Sequence, residues 1–270
     1  MPEERELVVE LSPELRLDVH KHLIERGLAI LGVRGSGKSY TAAKICEELA
    51  ESGVPFVVID LMGEYKTLRE RYPVLVCAIG EPEFADVKGL TPEQAPALGE
   101  FVVRSGAMCV LDLSHGKMLD RFRFLAPFLQ ALYETAEKEK RPLVLILDEG
   151  HRVAPERGVV KLREVRRWQD KVHYWLYEVS ATGRHWGLGF VIVARRTAET
   201  SKMLLTQCEV KLFFQTFDPI DLDRIRSYGV PKPLLDRLPK FRPGDCLVIG
   251  LGKPFITHIS ERKTPHGART

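Results

Sequence analysis

The stretch Gly32-Val33-Arg34-Gly35-Ser36-Gly37-Lys38-Ser39 fits the pattern G-x-x-x-x-G-K-S, and it constrains the fold more than any other part of the chain. Residues 28–31 before it are short and apolar, as a buried strand should be, and residues 40–50 after it carry small and apolar side chains at helical spacing. Strand, loop and helix together form the context the pattern requires. Gly32, Gly35 and Gly37 let the backbone curl, so that the N–H groups around Ser36 point inward at a phosphate. The helix start adds the positive end of its dipole. In such a loop Lys38 reaches the β- and γ-phosphates of ATP, Ser39 ligates Mg²⁺, and Tyr40 follows on the first helical turn beside the nucleotide. A glycine-rich turn that binds nothing would not need all eight positions in this setting.

A second anchor lies downstream. Residues 143–147 (Leu-Val-Leu-Ile-Leu) run directly into Asp148 and Glu149. Five apolar residues ending in two carboxylates make a strand end suited to phosphate chemistry. Asp148 holds Mg²⁺ through water, and Glu149 polarises a water for in-line attack on the γ-phosphate. Asp60 ends another apolar strand, residues 54–60, and Glu64 follows it in the loop. Both are candidate nucleotide-site residues. Asp60 admits two readings, contact with the attacking or a metal-bound water, or capping of the next turn.

The spacing predicts further strands at residues 74–78, 108–113, 188–194 and 210–214. Helices are predicted at 94–103, 119–138 (with Pro127 as a bend or restart), 161–179, 197–206 and from Asp218-Pro219 to Ile225. The stripe of the 161–179 helix is Leu162, Val165, Trp168 or Gln169, Val172, Trp175 or Leu176, and Val179. Arg163, Arg166, Arg167 and Lys171 fall on its other side, as a solvated face or a phosphate-contacting one. A hairpin is predicted around residues 250–253. At the other end, residues 5–11 read as a strand, and 19–23 as a linker or a cover for the nucleotide base. The expected fold is α/β: a P-loop NTPase with a RecA-like, mostly parallel sheet, helices on both faces and a small C-terminal hairpin decoration. The expected layout is an N-terminal strand and linker at 1–22, an ATPase core at 23–230, and a hairpin and basic tail at 231–270.

Composition excludes little. The 270 residues are 44% hydrophobic and 29% charged, with a net charge of +3, so any contact with nucleic acid depends on local placement. The five cysteines form no C-x-x-C pair and read as buried thiols. The N-terminus lacks a secretory pattern and no apolar run reaches about 18 residues, so a cytoplasmic protein (host cytoplasm if viral) without a membrane partner is expected.

Several stretches carry a resemblance to the FtsK–HerA superfamily of DNA-pumping ATPases, its HerA-like branch in particular. Beyond the phosphate loop, Val58 to Tyr65 is similar to the family's hydrophobic-D-x-x-G-E-Y segment. Asp148-Glu149-Gly150-His151 resembles its D-E-A-H, with Gly150 for alanine. Gly183-Arg184-His185-Trp186-Gly187-Leu188-Gly189 resembles its G-R-K-x-G-x-G turn. Gln207-Cys208, Phe213-Phe214 and Asp221-Leu222 are similar to the family's segment after that turn, and Arg262 to Gly267 is similar to the basic K-x-H-G ending. The likeness runs over residues 23–267.

The resemblance implies ATP hydrolysis coupled to translocation of double-stranded DNA by a homo-hexamer, in DNA processing, repair or viral genome packaging, with a nuclease or capsid as partner. It makes Arg184 an arginine finger for a neighbour's ATP and gives Arg163, Arg166, Arg167 and Lys171 a place facing the DNA. Two departures stand out. The residues before the core strand leave no room for the family's N-terminal barrel, associated with docking of a nuclease, so a compact form resembling some viral packaging ATPases is expected. The family's Gln-Arg pair is here Arg195-Arg196, so that Arg195 either donates to phosphate or serves as an ion-pair partner. Two other classes compete with the motor: an ATP-dependent switch or scaffold for a protein partner, and a small-molecule kinase. Glu149 beside Asp148, and the lack of an Arg-rich lid, weigh against the kinase.

Overall fold

The computed structural model describes residues 7–156 and 162–265. The chain opens with an antiparallel hairpin of β1 (Val8–Ser12) and β2 (Leu15–Asp18), then a π-helical turn, Val19–Ile24. β3 (Leu28–Leu31) leads through the phosphate loop into α1 (Lys38–Glu51). Next come β4 (Phe56–Asp60), β5 (Val74–Ala78), α2 (Ala95–Ser105), β6 (Met108–Asp112) and α3 (Met118–Glu139), which continues unbroken through Pro127. β7 (Leu143–Leu147) is followed by the short α4 (Gly150–Val153) and by α5 (Arg163–Ala181), then β8 (Leu188–Ala194), α6 (Lys202–Gln207) and β9 (Val210–Phe213). α7 (Pro219–Ser227), α8 (Lys232–Leu235) and a terminal hairpin of β10 (Asp245–Ile249) and β11 (Phe255–His258) complete the described chain.

Nine strands form one sheet in the order β11-β10-β9-β3-β8-β7-β4-β6-β5. The seven from β9 to β5 are parallel, and β10 and β11 add antiparallel at one edge. The central strands are apolar, apart from the aspartates that end β4 and β6, because both faces are covered. Along β3, Ala29 and Leu31 face the layer of α2, α3 and α5, while Leu28 and Ile30 face α1 and the N-terminal hairpin. Each of the fully buried leucine and isoleucine side chains contributes about 1.5–3 kcal/mol.

Four expectations need correction. Residues 19–24 do not cover a nucleotide base: the carbonyl of Leu23 lies against Gly189 at the start of β8, the end of the sheet opposite the phosphate loop. The helix expected from residue 197 begins at Lys202, because Thr197 and Ala198 bond the buried carboxylate of Asp221 and Ser201 caps the helix. Leu162 is 67% exposed and precedes α5 instead of joining its buried stripe, which is Val165, Gln169, Val172, Leu176 and Val179. The hairpin expected as a decoration continues the main sheet through β10 on β9. Lys161, at the predicted start of α5, and His266-Gly267 of the tail lie outside the described residues. All five cysteines are free and buried.

Candidate nucleotide site

Parallel strands place their C-terminal ends along one edge of the sheet, and the residues just beyond β3, β7, β4 and β8 meet there. At the centre the backbone passes Gly32, Gly35 and Gly37 with φ of 154°, 77° and 106°. A β-carbon on Gly32 would come within 2.7 Å of Phe214 Cβ, so the first glycine serves close packing as well as the turn. Ser36 Oγ and Lys38 Nζ both donate to Val33 O, at 2.7 and 2.8 Å, which holds the loop curled. Burial pushes the Lys38 ammonium below its usual range, while Asp148 and Glu149 pull it back.

Beyond β7, Asp148 is buried, with Oδ1 accepting from the Glu149 amide (2.7 Å) and Oδ2 from the Tyr65 hydroxyl (2.9 Å). Burial raises its carboxyl to about 6. Glu149 has φ 51° and ψ 38°, a left-handed conformation that costs a non-glycine residue about 1–2 kcal/mol. Its Oε2 lies 3.3 Å from both His151 Nε2 and Arg152 Nε. His151 Nδ1 is buried without a hydrogen-bond partner among the described residues, and burial pushes that ring below its usual value. Position 150 is glycine for a packing reason: a β-carbon there would lie 2.7 Å from Ile192 Cγ1.

A cavity of about 680 Å³ opens over this edge. Lys38, Ser39, Tyr40, Glu64, Glu149 and Arg195 all line it. The two arginines after β8 separate cleanly. Arg196 is held by Asp218, Asp221 and Glu199, whereas Arg195 forms no ion pair among the described residues and faces the cavity. Asp60 turns inward instead, its carboxylate accepting from the amides of Met62, Gly63 and Tyr65. Burial and the neighbouring Asp112 raise it to about 7. Asp60 thus shapes the turn that carries Glu64 and aims Tyr65 at Asp148.

Sequence reasoning missed two groups. Tyr65 was visible only as the last letter of a motif. The other group is the far wall of the cavity, Pro243, Gly244, His258, Ile259 and Glu261, which carries no motif. Arg184 is exposed on a 3₁₀ turn, Gly183–Trp186, at the start of β8. It lies a full strand length from Arg195, roughly 20 Å. Arg163, Arg166, Arg167 and Lys171 are exposed on α5, with Arg166 near Asp170 and Lys171 over the Trp168 ring.

The family described as "Helicase HerA, central domain" matches residues 8–127. A probable DNA double-strand break repair helicase HerA of Methanocaldococcus jannaschii is 46% identical over 52 residues, 19% of this chain and 10% of that one. Over those residues the chain is similar to the HerA-like branch of the FtsK–HerA superfamily of ATPases. The HerA match takes in the N-terminal hairpin as well as the phosphate loop. A probable helicase of the same archaeon is 23% identical over 178 residues, covering 61% of this chain. The chain spans about a third of that relative's length, 32%. Among solved structures, the genome packaging NTPase B204 of Sulfolobus turreted icosahedral virus 2, in complex with AMPPCP, superposes with a TM-score of 0.57. It is 16% identical, with 88% of this chain and 98% of that one covered. At that identity the likeness concerns the fold.

The donors present fit the Mg²⁺ that accompanies ATP in such enzymes. Mg²⁺ keeps several waters and takes few protein ligands, so one hydroxyl and one carboxylate beside the phosphates suffice. Ser39 at the start of α1 and Asp148 at the end of β7 would supply that pair. Among the described residues there is no cluster of three or more His, Cys, Asp or Glu that would form a protein-only cage. No described helix is long and apolar enough to cross a membrane.

Proposed function

We propose that this chain is the ATP-hydrolysing subunit of a ring that moves double-stranded DNA, in DNA processing or repair or in viral genome packaging. One observation carries the reading. Lys38, Glu149 and Arg195 share a cavity at one end of β8, while Arg184 stands exposed at the other end, out of reach of that cavity. A permanently charged, forked group so placed does not reach its own chain's nucleotide and is free to act on a neighbour's. Hydrolysis then depends on assembly.

Lys38 and the loop amides hold the β- and γ-phosphates, Glu149 orients the attacking water, and Arg195 donates to the γ-phosphate oxygens as charge moves onto them. Ser39 and Asp148 would hold Mg²⁺, which would supply charge neutralisation at the phosphates. Glu64 lines the nucleotide pocket. Arg163, Arg166, Arg167 and Lys171 contact DNA phosphates, which permits movement over any sequence. A nuclease or a capsid is the partner class that such a motor feeds.

Steady-state ATP hydrolysis with and without linear double-stranded DNA, across protein concentration, tests this. Activity should rise with both. Lys38→Ala and Glu149→Gln should each lose roughly 10²–10⁴-fold, and Arg184→Ala roughly 10³-fold. Mixing Arg184→Ala with Glu149→Gln subunits should restore part of the rate. Concentration-independent hydrolysis that ignores DNA would remove the motor and leave the ATP-dependent switch.

A further inference from the structure

We propose that the C-terminal hairpin is the nucleoside half of the site: His258, held by Asp245 and flanked by Gly244 and Ile259, receives the ribose and base of the nucleotide whose phosphates lie on the loop. The inference rests on the nucleotide-site reading above and concerns residues to which no motif points.

Direction comes first. Glu149 and Arg195, beyond β7 and β8, fix the γ-phosphate end. The rest of the molecule therefore runs the other way, across the start of α1 toward β9 and β10. The cavity, about 680 Å³, is in the range of sites for whole small molecules and larger than a triphosphate alone fills. Its far wall is Pro243, Gly244, His258, Ile259 and Glu261.

That wall is built onto the loop itself. The Gly244 amide donates to Ser36 O at 3.0 Å, and a β-carbon on Gly37 would lie 3.1 Å from Gly244 N. Gly244 has φ +93°, and a side chain there would meet His258 Cε1 at 2.7 Å, so glycine is what lets the ring lie against the loop. His258 Nδ1 is 2.8 Å from Asp245 Oδ1. With the ring proton on Nδ1 and donated to that carboxylate, Nε2 is left as an acceptor. The His258 side chain is 64% exposed although it is tethered. A tethered acceptor on a cavity wall suits a ribose hydroxyl or an exocyclic amino group. Beyond the hairpin, the Arg262 amide donates to the Tyr40 hydroxyl (2.7 Å) and Lys44 Nζ donates to Glu261 O (3.2 Å), which clamps the outgoing segment across α1.

The competing role for His258 is a staple between the two hairpin strands, since Asp245 and His258 are register partners. Calorimetric titration with ATP, ADP and inorganic tripolyphosphate separates the two roles. His258→Ala should weaken ATP and ADP about tenfold, the effect of one lost hydrogen bond, and leave tripolyphosphate unchanged. His258→Gln, which restores an acceptor, should recover part of that loss. Lys38→Ala should weaken all three ligands. Unchanged ATP affinity in His258→Ala, or an equal loss for ATP and tripolyphosphate, overturns the hairpin's role while the nucleotide site stands. Wild-type protein that binds neither ATP nor tripolyphosphate overturns the site itself, and this inference with it.

Discussion

The candidate nucleotide cavity has two walls of unlike construction. One is made of strand exits: Lys38 follows β3 through the phosphate loop, and Glu149 and Arg195 lie within two residues of the ends of β7 and β8. The other is a hairpin and strap, residues 243–264, fastened by bonds between positions far apart in the chain. The carboxylate of Glu47, fully buried on α1, accepts from the amides of Lys263 and Thr264 and pairs with Arg262 Nε at 3.3 Å. Ser12 on the N-terminal hairpin bonds Thr257 on β11, at 2.8 Å between hydroxyl oxygens. The first wall holds its groups by local backbone geometry, and so it tolerates changes elsewhere. The second holds its groups by a few buried polar contacts, and so it depends on each of them.

The sharpest way to break the second wall is Glu47→Ala. It leaves the Arg262 guanidinium, whose side chain is only 2% exposed, buried without its partner. The expected loss is about 3–5 kcal/mol in urea denaturation. A loss under about 1 kcal/mol would mean that the strap leaves α1 easily and that the two walls are not so different.

The first wall has its own buried support in Asp60. Its carboxyl, raised to about 7 from an ordinary 3.8, binds a proton more tightly in the folded state than in the unfolded one. Between those values stability therefore falls as pH rises, and it levels off above about 7. The decline attributable to Asp60 is on the order of 4 kcal/mol. Denaturation across a pH series should show it in the wild type, with a flatter profile in Asp60→Asn. A wild-type profile that climbs between pH 4 and 7 by the same amount in both proteins would contradict it.

The smallest expected effect sharpens the comparison most. Tyr65→Phe removes the hydroxyl that fixes Asp148 and touches neither wall's surface. Calorimetric affinity for Mg²⁺ in the presence of ATP should drop about tenfold, as for other partners that orient a metal's ligands, while tripolyphosphate binding without metal stays the same. Equal losses in both titrations would show that Tyr65 supports the loop generally.

Most of the first wall was legible in the sequence because apolar runs ending in glycine or carboxylate specify a strand and its exit together. The phosphate loop, the Asp148-Glu149 pair and the positions of the central strands along the chain could be read that way. The two arginines after β8 could not be told apart. What separates them is Asp218 and Asp221, more than twenty residues on, which take Arg196 and leave Arg195 to the cavity. The same holds for Asp60: an acid at a strand end fits either of its readings until three amides are seen on its oxygens. His258 was invisible because its setting comes from Gly244 and Ser36. A periodicity of two or three to four residues carries no trace of a contact across such separations.

The fastening of the second wall bears on how the molecule comes into being. Glu47 and Thr264 are 217 positions apart. A chain made from its N-terminus has its phosphate loop and α1 long before the residues that close over them. Until residues 243–264 leave the ribosome, an anion-binding turn exists without an enclosed pocket, and Glu47 waits for its cation. Long-range closure of this kind comes late in folding. A product cut short before the strap would carry the phosphate loop and the Asp148-Glu149 pair and an open site, so the finished pocket registers that synthesis has passed residue 264.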